Sequence, residues 1–148
     1  PISIAVANLL CLNGAIKDKH ILTAAILHDT IEDTGTKAEE IKEHFGPKVL
    51  SLVMEVTDNK SLPKATRKRL QIEHAASLTQ AAQLIKLADK ICNVTDLKES
   101  PPPDWDLKQR REYLDWAEAV VKQMAGVNSR LESLFYTRIA AAREKGKA

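Results

Sequence analysis

Glycine is scarce in this 148-residue chain, at 5 residues, and aromatic side chains make up only 4% of it. No Asn-Gly or Asp-Gly dipeptide joins two runs of alternating polarity, so hairpin signals are missing and the reading turns to helices. Two cysteines, Cys11 and Cys92, exclude a disulfide framework and any CxxC or CxxH metal ribbon, and they make a reducing, cytoplasmic compartment the default. The longest apolar stretches, such as Ala24 to Leu27, fall far short of the ~20 residues of a membrane span, so no membrane partner is expected. Charge of neither sign dominates: 22 Lys plus Arg face 20 Asp plus Glu. A net charge of +2 gives no ground for a nucleic-acid partner, and any basic patch must be local. What is present is an average globular composition, 44% hydrophobic and 28% charged, in a length that suits one domain around one core.

Apolar spacing predicts an all-α domain. A first helix covers about Ile2 to Leu12 and ends at the C-cap signal Asn13-Gly14; a second starts after Asp18 and runs through Ile31. Thr36 caps a short helix to Phe45. Gly46-Pro47 stops it and starts another, with Val49, Leu50, Val53 and Val56 as its buried stripe. Ser61-Leu62-Pro63 opens a helix carrying Lys64, Arg67, Lys68 and Arg69, and a strongly apolar helix follows from about Ala81 to Leu97. Pro101-Pro102-Pro103 makes Ser100 to Asp106 a loop, in which Trp105 is expected to act as a pin. A helix to Met124 and a last one from Asn128 to about Arg143 complete the chain, and the charged end from Arg143 reads as a fraying tail. The start at Pro1 has no signal-peptide pattern, and the natural N-terminus is expected to lie ahead of it.

Two segments combine burial with ionisable groups. Ile21 to Leu27 is apolar nearly all round, as in a helix enclosed by protein, and it runs into His28-Asp29-Thr30-Ile31-Glu32-Asp33. In a continuing helix, 28 and 32, and 29 and 33, share a face. Buried carboxylates need compensation, which a metal cation supplies; a helix end in water, with Glu32 and Asp33 hydrated, is the other reading. In Leu84 to Asn93, the polar residues Lys86, Asp89, Lys90 and Asn93 form a narrow stripe on an apolar helix. There Asp89 either pairs with Lys86 or Lys90 along its own helix, or joins His28 and Asp29 where the two helices pack. One imidazole and two carboxylates suit Mn²⁺, Fe²⁺, Mg²⁺ or Zn²⁺. His20, His44 and His74 fit no metal spacing, and Cys92 on its apolar helix reads as inert.

His28-Asp29 followed far downstream by Asp89 resembles the HD superfamily of metal-dependent phosphohydrolases. Further segments narrow the likeness: Leu27 to Thr34, Glu55-Val56-Thr57-Asp58 with Leu62-Pro63-Lys64, Lys86 to Asn93, and Arg111 to Trp116. Together they resemble the hydrolase domain of RelA/SpoT-type alarmone enzymes, closest to the small hydrolase-only members, over nearly the whole of residues 1–148. Such domains usually begin this region with Asn-His-Pro-Ile, whose His is the first metal ligand. This chain starts at Pro1-Ile2, so that ligand is expected just before it. Gln109 stands where relatives tend to carry Arg, with Arg110 or Arg111 as substitutes.

The resemblance implies hydrolysis of the 3′-pyrophosphate of guanosine tetra- or pentaphosphate (ppGpp/pppGpp) to GDP or GTP and pyrophosphate. It also implies a divalent metal, Mn²⁺ first, held by His28, Asp29 and Asp89. Glu32 and Asp33 are then the catalytic pair that positions water and moves its proton. Lys64, Lys90, Asn93 and Tyr113 would bind the substrate, with Arg67 and Lys68 behind Lys64. The basic residues also read as a solvated face, and Tyr113 with Trp116 as ordinary core. Two further functions fit the same residues: a phosphohydrolase acting on another nucleotide with a ribose 2′- or 3′-phosphate, such as NADPH, and a degenerate nucleotide-binding domain without catalysis.

Overall fold

The computed structural model describes residues 2–29, 31 and 34–145. Among these it is all-helical: α1 (Ile2–Leu12), α2 (Lys19–Leu27), α3 (Ala38–Phe45), α4 (Pro47–Val56), α5 (Lys64–Ala75), α6 (Gln80–Glu99), α7 (Leu107–Lys122) and α8 (Ser129–Lys145). Their ends follow local chemistry. The Asp18 carboxylate accepts the amides of His20 and Ile21 at the start of α2. Gly46, at φ 89°, closes α3 through its amide and opens α4, with Pro47 in the first turn where no amide is needed. Thr79 caps α6 by accepting the Ala82 amide, and its own amide and hydroxyl both donate to Glu55 on α4. A reciprocal box between Asp106 and Gln109 starts α7. Gln109, conspicuous in sequence as a missing arginine, is thus a helix-start residue.

The 20 residues of α6 make a rod of about 30 Å. It is the spine of the core, packed against α1, α2, α4, α7 and α8, with Ile85, Leu87, Ala88, Ile91 and Val94 fully enclosed. Around it α1 gives Val6 and Leu10, α4 gives Val53, α7 gives Ala117 and Val120, and α8 gives Leu131, Phe135 and Ile139. The helix α5 lies outside, packed on α7, and α3 packs on α4.

Four local expectations change. Instead of continuing to Ile31, α2 stops at Leu27, with His28 as its cap. The His28 ring takes the Ala25 carbonyl, which the amide of residue 29 would claim in a continuing helix. Nor is α2 enclosed on all sides: Ala24 and Ala25 are buried, but Ile26 faces outward at 49% exposure, because the helix packs on α1, α4 and α6 and leaves one side open. Thr36 does not cap α3; its hydroxyl bonds Thr34, and Lys37 occupies the cap position with no side-chain bond. Arg143 is no part of a fraying tail, since its guanidinium lies 2.9 Å from Asp115 and 3.0 Å from Glu118 on α7.

Candidate active site

The site forms where the C-terminal end of α2 meets the middle of α6. His28 is buried, and its Nδ1–H donates to the Ala25 carbonyl at 2.6 Å. That bond fixes the ring and leaves Nε2 facing away from its own helix. Nε2 lies 3.3 Å from Asp29 Oδ2 and 3.3 Å from Asp89 Oδ1. The convergence expected from the sequence is present in these three residues. An imidazole lone pair facing two carboxylates is tenable only with a cation at that point, a proton on Nε2 or a metal ion in its place.

Electrostatics follow the same logic. Burial alone would lower the His28 pKa, but the hydrogen bond and charge of Asp89, the Ala25 carbonyl and Asp29 raise it above 6.5. Burial alone would raise the Asp89 carboxyl; His28 and the ammonium groups of Lys90 and Lys86 instead hold it well below the usual carboxylate range. Asp89 Oδ2 accepts the Asn93 amide at 3.2 Å and lies 3.5 Å from Lys90 Nζ. Lys90 is itself buried, and desolvation pulls it down to about 8 against the pull of Asp89.

The donor set fits a divalent ion. Two atoms each about 2.1 Å from one ion, at tetrahedral or octahedral angles, lie about 3.0–3.4 Å apart, and the His28–carboxylate separations are 3.3 Å. Among the described residues no group of three or more His, Cys, Asp and Glu is arranged to hold a metal ion as it stands, so the fit rests on donor type and on the two His28–carboxylate spacings.

A pocket of about 300 Å³ opens beside these residues, lined by all three and by Asp58, Lys64, Arg67, Lys68, Gln71, Lys86, Lys90, Asn93, Tyr113 and Trp116. The sequence-derived substrate residues Lys64, Lys90, Asn93 and Tyr113 therefore share one cavity. Glu32 and Asp33, the sequence-derived catalytic pair, lie outside the described residues. The two readings of Tyr113 merge, and Trp116, read only as core, joins it: both pack against the core and both line the pocket. Trp105 does pin its loop, its amide reaching the Pro102 carbonyl and its ring lying 5.7 Å from that of Tyr113. His20, His44 and His74 are exposed, and none of them lines this pocket.

Sequence reading missed the support of the basic wall. Asp58 accepts the Gln71 amide at 2.6 Å and faces Lys86 at 4.0 Å, tying α5 and α6 to the end of α4. It missed Trp116 as well, whose ring lies under Lys68 and Lys90. Neither has a local signal, because each depends on how separate helices pack. Lys86 itself was visible in the polar stripe of α6.

Known proteins place the chain. The pattern of the HD domain family matches residues 2–116, from α1 into α7. A Xenopus tropicalis protein named guanosine-3′,5′-bis(diphosphate) 3′-pyrophosphohydrolase MESH1 is 52% identical over 129 residues, spanning 87% of this chain and 72% of the relative. The Homo sapiens protein of that name is 48% identical over the same spans. A solved structure of a metazoan ortholog of SpoT, described as hydrolyzing ppGpp and acting in starvation responses, superposes with a TM-score of 0.91 at 44% identity, over 94% of this chain and 78% of that one. The chain belongs to the HD domain family, among relatives named as guanosine-3′,5′-bis(diphosphate) 3′-pyrophosphohydrolases.

Proposed function

We propose that this chain is a guanosine polyphosphate 3′-pyrophosphohydrolase, cleaving ppGpp or pppGpp to pyrophosphate and GDP or GTP with the help of a divalent cation, manganese first. The observation that carries the reading is the meeting of His28 with Asp29 and Asp89 at one edge of a pocket whose other walls bear Lys64, Arg67, Lys68, Lys86 and Lys90. An acidic corner against a basic wall suits a cation on one side and a phosphate chain on the other. The names carried by relatives about half identical supply the substrate class.

His28, Asp29 and Asp89 would hold the ion. When bound, such an ion supplies a water nucleophile at neutral pH and polarises a phosphoryl oxygen; manganese agrees with a set of one nitrogen and two carboxylates. The rest is work for the chain's own groups. Asn93 holds the second oxygen of Asp89, and the Ala25 carbonyl holds His28, so the donors keep their orientation. Lys64, Lys86 and Lys90 neutralise the pyrophosphate, and Arg67 adds a buried Nε–H with no hydrogen-bond partner among the described residues. Tyr113, half-buried against Trp105, offers an aromatic edge to the nucleoside. Glu32 and Asp33 handle the proton of the attacking water; a carboxylate pair suits that role. The free thiols and the absence of a helix long and apolar enough to cross a membrane among the described residues go with a cytoplasmic location.

Product analysis tests the substrate. With manganese present, ppGpp is expected to yield equal amounts of GDP and pyrophosphate, while NADPH, offered in parallel, loses its 2′-phosphate far more slowly. No release from ppGpp, or faster turnover of NADPH, overturns the assignment. Binding of ppGpp without turnover would make the chain a nucleotide-binding module.

A further inference from the structure

Lys90 is an ammonium buried on the spine of the fold, and its stem alone does not explain where the charge sits. Its Nζ lies 4.4 Å over the ring of Trp116 and 3.5 Å from Asp89 Oδ2. Lys68, from α5, reaches the same ring at 4.8 Å. The indole is anchored in turn: its Nε1–H donates to the Lys68 backbone carbonyl at 3.0 Å, and its ring packs against Tyr113 at 5.4 Å between centroids. An aromatic face attracts ammonium groups within about 6 Å, most strongly for indole and most strongly when water is excluded. Both ammonium groups also line the pocket beside His28, Asp29 and Asp89, so one ring sets where two of its cations stand, and an anion entering the pocket meets both.

We infer that Trp116 is a positioning residue for phosphate capture, holding Lys68 of α5 and Lys90 of α6 as a cation pair that receives the pyrophosphate group of the substrate. The inference rests on the phosphate-handling reading of the pocket. Trp116 does not need to touch substrate; it acts through the two ammonium groups, and an aliphatic residue of similar bulk would fill its space without holding them.

The test compares Trp116→Leu and Trp116→Phe in the full chain, with inorganic pyrophosphate as the calorimetric probe, in chelator-treated buffer so that free metal does not sequester the probe. Trp116→Met replaces the leucine variant if that one fails to fold by circular dichroism. The aliphatic variant is expected to bind pyrophosphate about tenfold more weakly, while Trp116→Phe, which keeps an aromatic face, stays within about threefold. With ppGpp and manganese the same loss is expected in KM, with kcat changed less than about threefold. In a Lys68→Met/Lys90→Met background the aliphatic change is expected to add less than about twofold. Undiminished pyrophosphate binding by a folded aliphatic variant overturns the inference. An equal loss in the background lacking both ammonium groups also overturns it, because Trp116 would then be merely structural. If the wild type binds pyrophosphate with this pattern yet does not turn over ppGpp, the proposed function fails and the inference stands.

Discussion

At the scale of single residues, the site rests on a conflict that only a cation resolves. His28 cannot turn away from the carboxylates, because its other nitrogen is committed to Ala25. Removing one carboxylate, as in Asp89→Asn, should therefore lower manganese affinity by at least about 100-fold, at or beyond the upper end of what loss of a supporting group costs a metal site. Metal analysis after dialysis checks this, and circular dichroism should show the helices retained. The same field acts on Cys92, which burial, with Asp89 and Asp96 nearby, pushes up to about 12. Iodoacetamide at pH 8 should place one adduct on the native protein, on exposed Cys11, and two once the chain is unfolded in urea, as read by intact mass. His28, Asp29 and Asp89 were legible in sequence because ionisable groups in apolar segments demand an explanation. The Asp58–Gln71–Lys86 and Trp116–Lys90 contacts were not, since nothing in either segment specifies its partner.

At the scale of elements, helix boundaries follow the capping signals at Asp18, Gly46-Pro47 and Asp106, while the α1–α2 turn shows how a correct signal can carry the wrong cause. Asn13-Gly14 reads as a left-handed helix end, yet the residue with positive φ is Ala15, at 57°. Gly14 is needed for closeness: a Cβ there would lie 2.9 Å from the Leu10 carbonyl oxygen and 3.0 Å from Leu131 Cδ1. The Gly14 carbonyl also accepts the Asn128 amide, and Asn128 caps α8 through the Leu131 amide, both at 3.0 Å. Gly14→Ala should therefore destabilise the fold by about 1–3 kcal/mol, as overpacking against a backbone atom does. Ala15→Gly, which removes the side chain at the left-handed position, should change stability by less than about 1 kcal/mol. Urea midpoints of the two variants decide the matter; equal losses would contradict this account of the turn. The end of α2 was misread for a related reason. Helical periodicity continues past Leu27, but a side chain of the helix competes for the carbonyl that would extend it.

At the scale of the whole molecule, the fold was legible as all-α because scarce glycine and the period of the apolar residues agree, and its spine because the apolar residues of α6 run along nearly its whole length. What composition hid is the distribution of charge. The chain carries only +2 overall, yet Lys64, Arg67, Lys68, Lys86 and Lys90 line one pocket. A substrate as anionic as ppGpp should be drawn to that wall, so kcat/KM is expected to fall several-fold between about 0.05 M and 0.5 M salt, mostly in KM. A flat salt profile would show that the basic wall does not guide capture.

The most direct test of the central claim is a titration of chelated protein with manganese, following bound metal and pyrophosphate release from ppGpp in the same samples. The account predicts no release from the metal-free protein and a rate that rises in proportion to occupancy and saturates with it, with Asp89→Asn inert across the range. Release that persists without metal, or full occupancy with no release, would contradict it.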